Sequence, residues 1–311
     1  AFISEMGESE DEAWNAWRRE VERVDGCGHG RMDGAIAEVV ANETFTKSNP
    51  SALYYAIPVA GEMQDDKLAA VTVATKSGLR RVLGRQWIDA TEAATLARLI
   101  DSEVAPRQPD RRQALLYLQQ ATWPKQEAEE LEVPCLPDDR VTWEPTMWIN
   151  QRCLRIDMPG DAVRFRHRFC PVLEQAHEAL SDQIKSGYVS HVSLESYPIY
   201  ESAATAPQGP DVPNVAYAVP GFVQGPIKTL AERYTLGNRA ARRLLNQAAC
   251  DPEEALREKA IEPPEPRQTR TCDAAVVGAG TAGALAALAA GYENADTVVV
   301  EPLSFPGGIG T

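Results

Sequence analysis

Cys272-Asp-Ala-Ala-Val-Val-Gly278-Ala-Gly280-Thr-Ala-Gly283 is the stretch on which the fold turns. Ala274–Val277 is a short apolar run and predicts a buried strand. Thr281 to Ala290 is rich in Ala and Leu and predicts a helix. The three glycines between them stand at G-x-G-x-x-G spacing. Thr297-Val-Val-Val300 predicts a second parallel strand, and it ends at Glu301, eighteen positions beyond Gly283. Each residue type has a physical task. Gly278 permits the tight turn from strand to helix. Gly280 has no Cβ, so a pyrophosphate can approach the backbone. Gly283 lets the helix pack close to the strand. The helix N-terminus offers unpaired N–H groups and a positive dipole end to an anion. Glu301 can accept hydrogen bonds from the hydroxyl pair of a ribose. A bare GxGxxG says little, but strand, helix, second strand and acid follow here in the order that dinucleotide binding requires.

The residues that follow narrow the choice of dinucleotide. Glu301-Pro-Leu-Ser-Phe-Pro-Gly307-Gly308-Ile-Gly310-Thr311 places a Gly-Gly doublet after the acid. Residues 272–311 resemble the opening βαβ part of the Rossmann domain in FAD-dependent oxidoreductases of the glutathione-reductase-like class, in the GxGxxG…E…GG subfamily. That resemblance implies FAD as cofactor. It implies contacts to FAD from Gly278, Ala279, Gly280, Thr281, Ala282, Gly283, Glu301, Gly307, Gly308 and Thr311.

Two earlier stretches resemble other parts of the same kind of module. Leu68 to Leu99 resembles its middle, where a hairpin precedes a strand ending in an Ala-Thr-Gly turn near the FAD. Here the turn reads Ala90-Thr91-Glu92, and the extra carboxylate is expected to repel a diphosphate. Asn214 to Gly221 and Thr229 to Ala241 resemble the closing strand and helix, with Pro220-Gly221 at the strand's end. The order is thus middle, end, then beginning. The expected domains are a degenerate flavoprotein-like module over 1–262 lacking its N-terminal part, a Pro-rich linker over 263–271, and the βαβ part over 272–311. Two arrangements explain the order. The chain is either the middle piece of a precursor with two tandem modules, or a circularly permuted single module. On the first, a further polypeptide from the same precursor completes the FAD-binding domain, in a hetero-oligomer made by proteolytic processing.

Outside these motifs the pattern predicts an α/β chain, with an antiparallel substrate-side sheet and helices beside the Rossmann-like elements. Trp14, Trp17, Val21 and Val24 mark one helix over 10–25, and Met32 to Glu43 a second. Strands are expected at Leu53–Val59, Leu68–Thr75, Leu79–Leu83, Gln86–Ala90, Val141–Ile149, Cys153–Asp157, His191–Tyr200 and Asn214–Val219. Further helices are expected at Thr91–Val104, 110–120, from Pro171 to a stop at Gly187, and at Thr229–Ala249.

The chain has 311 residues, 44% of them hydrophobic, and carries a net charge of −14. Such acidity argues against nucleic acid and anionic membranes as partners. No apolar run reaches membrane-spanning length and no signal peptide is visible. The six scattered cysteines read as reduced, which favours a cytoplasmic setting. The six cysteines form no CxxC pair, which leaves a metal site without support. The clusters Arg111-Arg112 and Arg164-Phe165-Arg166-His167-Arg168 read as solvated or ion-paired surface. The function expected is oxidation of a small organic substrate by hydride transfer to flavin. A non-catalytic scaffold subunit of a flavoenzyme complex is the alternative. No catalytic residue is assigned: His167, His177, His191 and Tyr197 are candidates by residue type only.

Overall fold

A computed structural model describes residues 6–28, 30–48, 50–123, 128–162, 165–184, 187–245, 247, 249–265 and 268–301. The chain divides into two compact units, Ala1–Pro263 and Pro264–Thr311.

The first unit opens with α1 (Glu12–Arg23), a short hairpin of β1 (Cys27–Gly28) and β2 (Arg31–Met32), and α2 (Gly34–Ser48). The Asp11 carboxylate caps α1 by accepting from the backbone N–H groups of Ala13 and Trp14. Trp14 and Val21 carry the helix's apolar stripe into the core. An antiparallel meander follows: β3 (Ile57–Gln64), β4 (Lys67–Thr75) and β5 (Gly78–Leu83). Leu68, Ala69, Ala70 and Val71 of the central strand are all buried, so both of its faces are covered there. β6 (Trp87–Asp89) then leads through a turn into α3 (Thr95–Ile100).

The middle of the unit is a six-stranded antiparallel sheet. Its strands are β7 (Arg111–Gln119), β8 (Glu129–Leu131), β9 (Arg140–Pro145), β10 (Gln151–Pro159), β11 (Tyr188–Val192) and β12 (Tyr197–Ile199). The order is β11-β7-β10-β9-β8, with β12 also on β7. α4 (Phe169–Ala179) packs on one face, where Phe169, Val172 and Ala176 meet Leu116, Leu154 and Trp143 in the main core. β13 (Val215–Tyr217) then pairs in parallel with β6, Val215 opposite Trp87 and Tyr217 opposite Asp89. α5 (Leu230–Leu244) and the short α6 (Ala255–Glu258) end the unit. α5 begins at a capping box: Thr229 Oγ1 accepts from the Glu232 N–H, and the Glu232 carboxylate accepts from the Thr229 N–H at 2.8 Å.

The structure corrects several sequence expectations. The helix expected at 110–120 is strand β7. Ala114, Leu116 and Leu118 face α4 while Leu115 and Tyr117 are buried on the opposite face. Covered on both sides, its central residues 114–118 are apolar at every position, so the period of two is hidden. The helix expected at Thr91–Val104 shrinks to α3, because Ala94 adopts φ +53° just before it and Asp101 is extended just after it. The single strand expected at His191–Tyr200 is split into β11 and β12, both lying on β7. β3 starts at Ile57 rather than Leu53, and α5 stops at Leu244 rather than Ala249.

The second unit is one βαβ element: β14 (Ala274–Val277), α7 (Thr281–Tyr292) and β15 (Thr297–Val300). The strands are parallel, with Ala274 opposite Thr297 and Val277 opposite Val300. No described residue of α7 is buried, and Leu285 is 62% exposed. Among the described residues, no helix is long and apolar enough to cross a membrane.

Candidate functional site

The glycine turn of the second unit has the shape that its sequence demands. Gly278 follows β14 with φ +88°, a conformation that an L side chain would strain. Its N–H donates to the Val300 carbonyl at 2.8 Å and extends the strand pairing by one rung. Gly280 caps α7 with extended backbone, φ −61° and ψ −172°, and a Cβ there would meet nothing within 4 Å. Gly283 is different: a Cβ there would lie 1.8 Å from the Gly278 carbonyl oxygen. So Gly283 serves the helix–strand packing, whereas Gly280 keeps clear the space in front of the helix. Thr281 and Ala282 form the first turn of α7, at its positive end.

Glu301 stands at the C-terminal end of β15, and its Oε2 accepts from the Ala279 N–H at 2.5 Å. The acid and the turn are thereby brought together, as a ligand spanning ribose and diphosphate requires. Ala279 is buried, so the turn is anchored at that position. A clear approach at Gly280, a helix N-terminus behind it and a carboxylate beside it fit the ADP half of FAD. Gly307, Gly308 and Thr311 lie outside the described residues.

In the first unit, the turn after β6 is organised by Asp89, whose carboxylate is fully buried. Oδ1 accepts from the Thr91 N–H at 3.0 Å and the Thr91 hydroxyl at 2.7 Å, and Oδ2 accepts from the Ala97 N–H at 2.9 Å. Thr91 in turn accepts from the Thr95 N–H through its Oγ1. Glu92 was expected to confront a ligand as a bare negative charge, and the structure corrects that. Its Oε1 accepts from the Tyr200 hydroxyl at 2.7 Å and its Oε2 pairs with Arg233 Nη1 at 2.9 Å. Arg233 also donates to the Tyr197 hydroxyl and to the Pro198 carbonyl, and lies over the Tyr197 ring. Burial works against the charge on Arg233, but Tyr197 and Glu92 outweigh it and raise its pKa. Burial, with help from Glu92, likewise pushes the Tyr200 hydroxyl up. The carboxylate at the turn is therefore neutralised inside the protein. Nothing in the sequence linked Glu92 to residues more than a hundred positions away, and Asp89 had no signature beyond ending a strand.

The candidate catalytic side chains are not drawn into one constellation. His167 and His177 are exposed on the segment around α4. His191 is exposed on β11 with its ring edge-on to Tyr117. Tyr197 is committed to Arg233. Cys153 is buried and its thiol is pushed up to about 12 by that burial, which removes it as a nucleophile near neutral pH.

The profile of a family described as FAD dependent oxidoreductase matches residues 2–182, which end well before Gly278. A search of curated proteins found no match. Among solved structures, a geranylgeranyl bacteriochlorophyll reductase-like protein from Thermoplasma acidophilum is 12% identical with a TM-score of 0.47, over 68% of this chain and 53% of that one. A p-nitrophenol 4-monooxygenase from Pseudomonas putida is 10% identical with a TM-score of 0.46, over 71% of this chain and 57% of that one. A probable FAD-dependent monooxygenase from Pseudomonas aeruginosa is 15% identical with a TM-score of 0.41, over 69% of this chain and 61% of that one. The chain spans between 53% and 61% of the length of these three structures.

Proposed function

From the premise that the chain belongs to the FAD-dependent oxidoreductase family, with FAD as its cofactor, we propose that it forms part of an enzyme oxidising a small organic substrate. The observation that carries this reading is the turn from Gly278 to Gly283 set against Glu301. Gly278, Gly280 and Gly283 shape the path for the diphosphate, the first turn of α7 faces it with N–H groups, and Glu301 holds the ribose. When bound, FAD supplies a two-electron acceptor for hydride from carbon. Flavin absorbance of the purified protein is the direct test. Protein that carries no flavin, and takes up none when FAD is added, overturns the reading.

The first unit is read as a flavoprotein-like module that holds no FAD of its own. Its support is the Glu92–Arg233 pair, which commits the half-buried Arg233 cation beside that turn to an internal partner. This also favours a scaffold role for that unit beside the catalytic one. Quantitative flavin extraction is expected to give one FAD per chain at most, and two would contradict the assignment.

A further polypeptide is proposed to complete the second unit. An isolated two-stranded sheet is marginal in water, and this one is covered by a single helix. Here Val277 is 83% exposed, Leu285 62% and Val300 55%, so the unit by itself leaves apolar surface on strand and helix uncovered. A protein of the same precursor or a partner chain supplying another parallel strand would cover it. Residues 1–311 expressed alone are expected to self-associate and to hold flavin weakly. A soluble, flavin-loaded, active monomer would remove the need for a partner.

A further inference from the structure

A cleft of about 770 Å³ opens in the first unit between the end of α3, the 102–109 segment and the approach to β12. Its volume suits a small molecule. Its walls are mixed. Pro106, Pro109 and Pro198 give rigid apolar surface, and Arg98, Arg107 and Arg112 bring three guanidinium groups to one space. The acids that line it are Glu92, Glu103 and Glu195. Glu92 is paired with Arg233 behind it, whereas Glu103 and Glu195 are exposed.

The three cations differ in what holds them. Arg107 is spent on the protein: it donates to the carbonyls of Val223 and Glu201, pairs with Asp110 and lies over the Tyr200 ring. Arg112 is fixed but not neutralised. Its Nε donates to the Gly160 carbonyl at 2.8 Å, its Nη1 reaches Ser196 Oγ only at 3.4 Å, and among the described residues no carboxylate pairs with it. The Arg98 side chain has no hydrogen bond or ion pair among the described residues. A half-buried guanidinium held by a carbonyl, with a hydroxyl beside it and a second cation on the same cleft, is a preorganised receptor for an oxyanion.

We propose that this cleft binds a small organic anion, with Arg112 and Ser196 as the anchor and Arg98 as the second cation. The shared chemistry is an oxyanion, either the carboxylate of a free organic acid or the phosphate of a nucleotide. The site stands on the first unit alone and does not rest on flavin in the second.

The full chain is titrated calorimetrically with benzoate and, separately, with inorganic pyrophosphate, at low and at moderate salt. Binding of at least one probe is expected, and Arg112→Gln should weaken it about tenfold or more, since the charge-assisted hydrogen bonds are lost. Arg140→Gln serves as control, because Arg140 lies on the surface paired with Glu130. A circular-dichroism melt of each variant checks that the fold is intact. Binding of benzoate points to an organic acid, and binding of pyrophosphate that ADP competes away points to a nucleotide; either supports the site only where Arg112→Gln weakens it, since the Gly278 turn is a second place for a diphosphate. Failure of both probes to bind, or equal binding by Arg112→Gln, overturns it.

Discussion

Gly280→Val is expected to abolish FAD retention and to leave the βαβ unit folded. The two halves of that expectation come from one geometry. The backbone at Gly280 is extended, with φ −61°, a value that a branched L residue adopts without strain. A Cβ at that position would meet no protein atom within 4 Å, so the unit loses nothing by the change. On the proposed reading, the space that the isopropyl group enters is the one the diphosphate crosses to reach the N-terminus of α7. Binding would then fall by the whole of the phosphate contribution, about 100-fold or more, because the helix N–H groups become unreachable. Gly283→Val is the contrasting variant. Its Cβ would collide with the Gly278 carbonyl oxygen, so it is expected to disrupt the turn itself and to lower helix content. Flavin content and far-ultraviolet circular dichroism, measured on both variants, separate the two effects. Undiminished flavin in Gly280→Val would sink the cofactor assignment at this turn.

How far the sequence could be read depended on whether the information was local. The GxGxxG turn is local: Gly278 takes φ +88°, a Cβ on Gly283 would strike the Gly278 carbonyl oxygen five positions before it, and Gly280 faces open space. The hairpin from Leu68 to Leu83 was legible because Lys76-Ser77-Gly78 marks its turn, and Gly78 takes φ +107° there. β7 was illegible for the opposite reason. Its sequence lacks alternation because α4 covers one face and Tyr117 with Leu115 is buried on the other. The Glu92–Arg233 pair joins β6's turn to the first turn of α5, so a charge read as exposed is in fact satisfied across the fold. Long-range pairing of this kind leaves no spacing signature. The same holds for the cleft around Arg112, whose lining comes from two distant stretches, 92–112 and 195–200.

Asp89→Ala is expected to be the most destabilising single polar change in the first unit. The carboxylate is buried completely and takes three hydrogen bonds, two from Thr91 and one from the Ala97 N–H. Alanine leaves all three donors without that partner, the Ala97 N–H in a buried site and the two Thr91 donors half-buried. An unsatisfied buried donor costs about 1–3 kcal/mol, so the sum is about 3 kcal/mol or more. Asp89→Asn keeps the shape and one acceptor oxygen, but sets an amide N–H₂ against a donor, and about half that loss is expected. The backbone of Asp89 is not at risk in either variant, since its carbonyl accepts from the Ala218 N–H and carries the pairing of β6 with β13 onward. What loosens is the turn: Thr91 loses its anchor, the N-terminus of α3 loses its cap at Ala97, and Glu92 is no longer held against Tyr200 and Arg233. Urea unfolding followed by tryptophan fluorescence reads the effect, with the midpoint falling in the order wild type, Asp89→Asn, Asp89→Ala. A loss below about 1 kcal/mol for Asp89→Ala would mean that water reaches those donors and that the turn is not organised by this carboxylate.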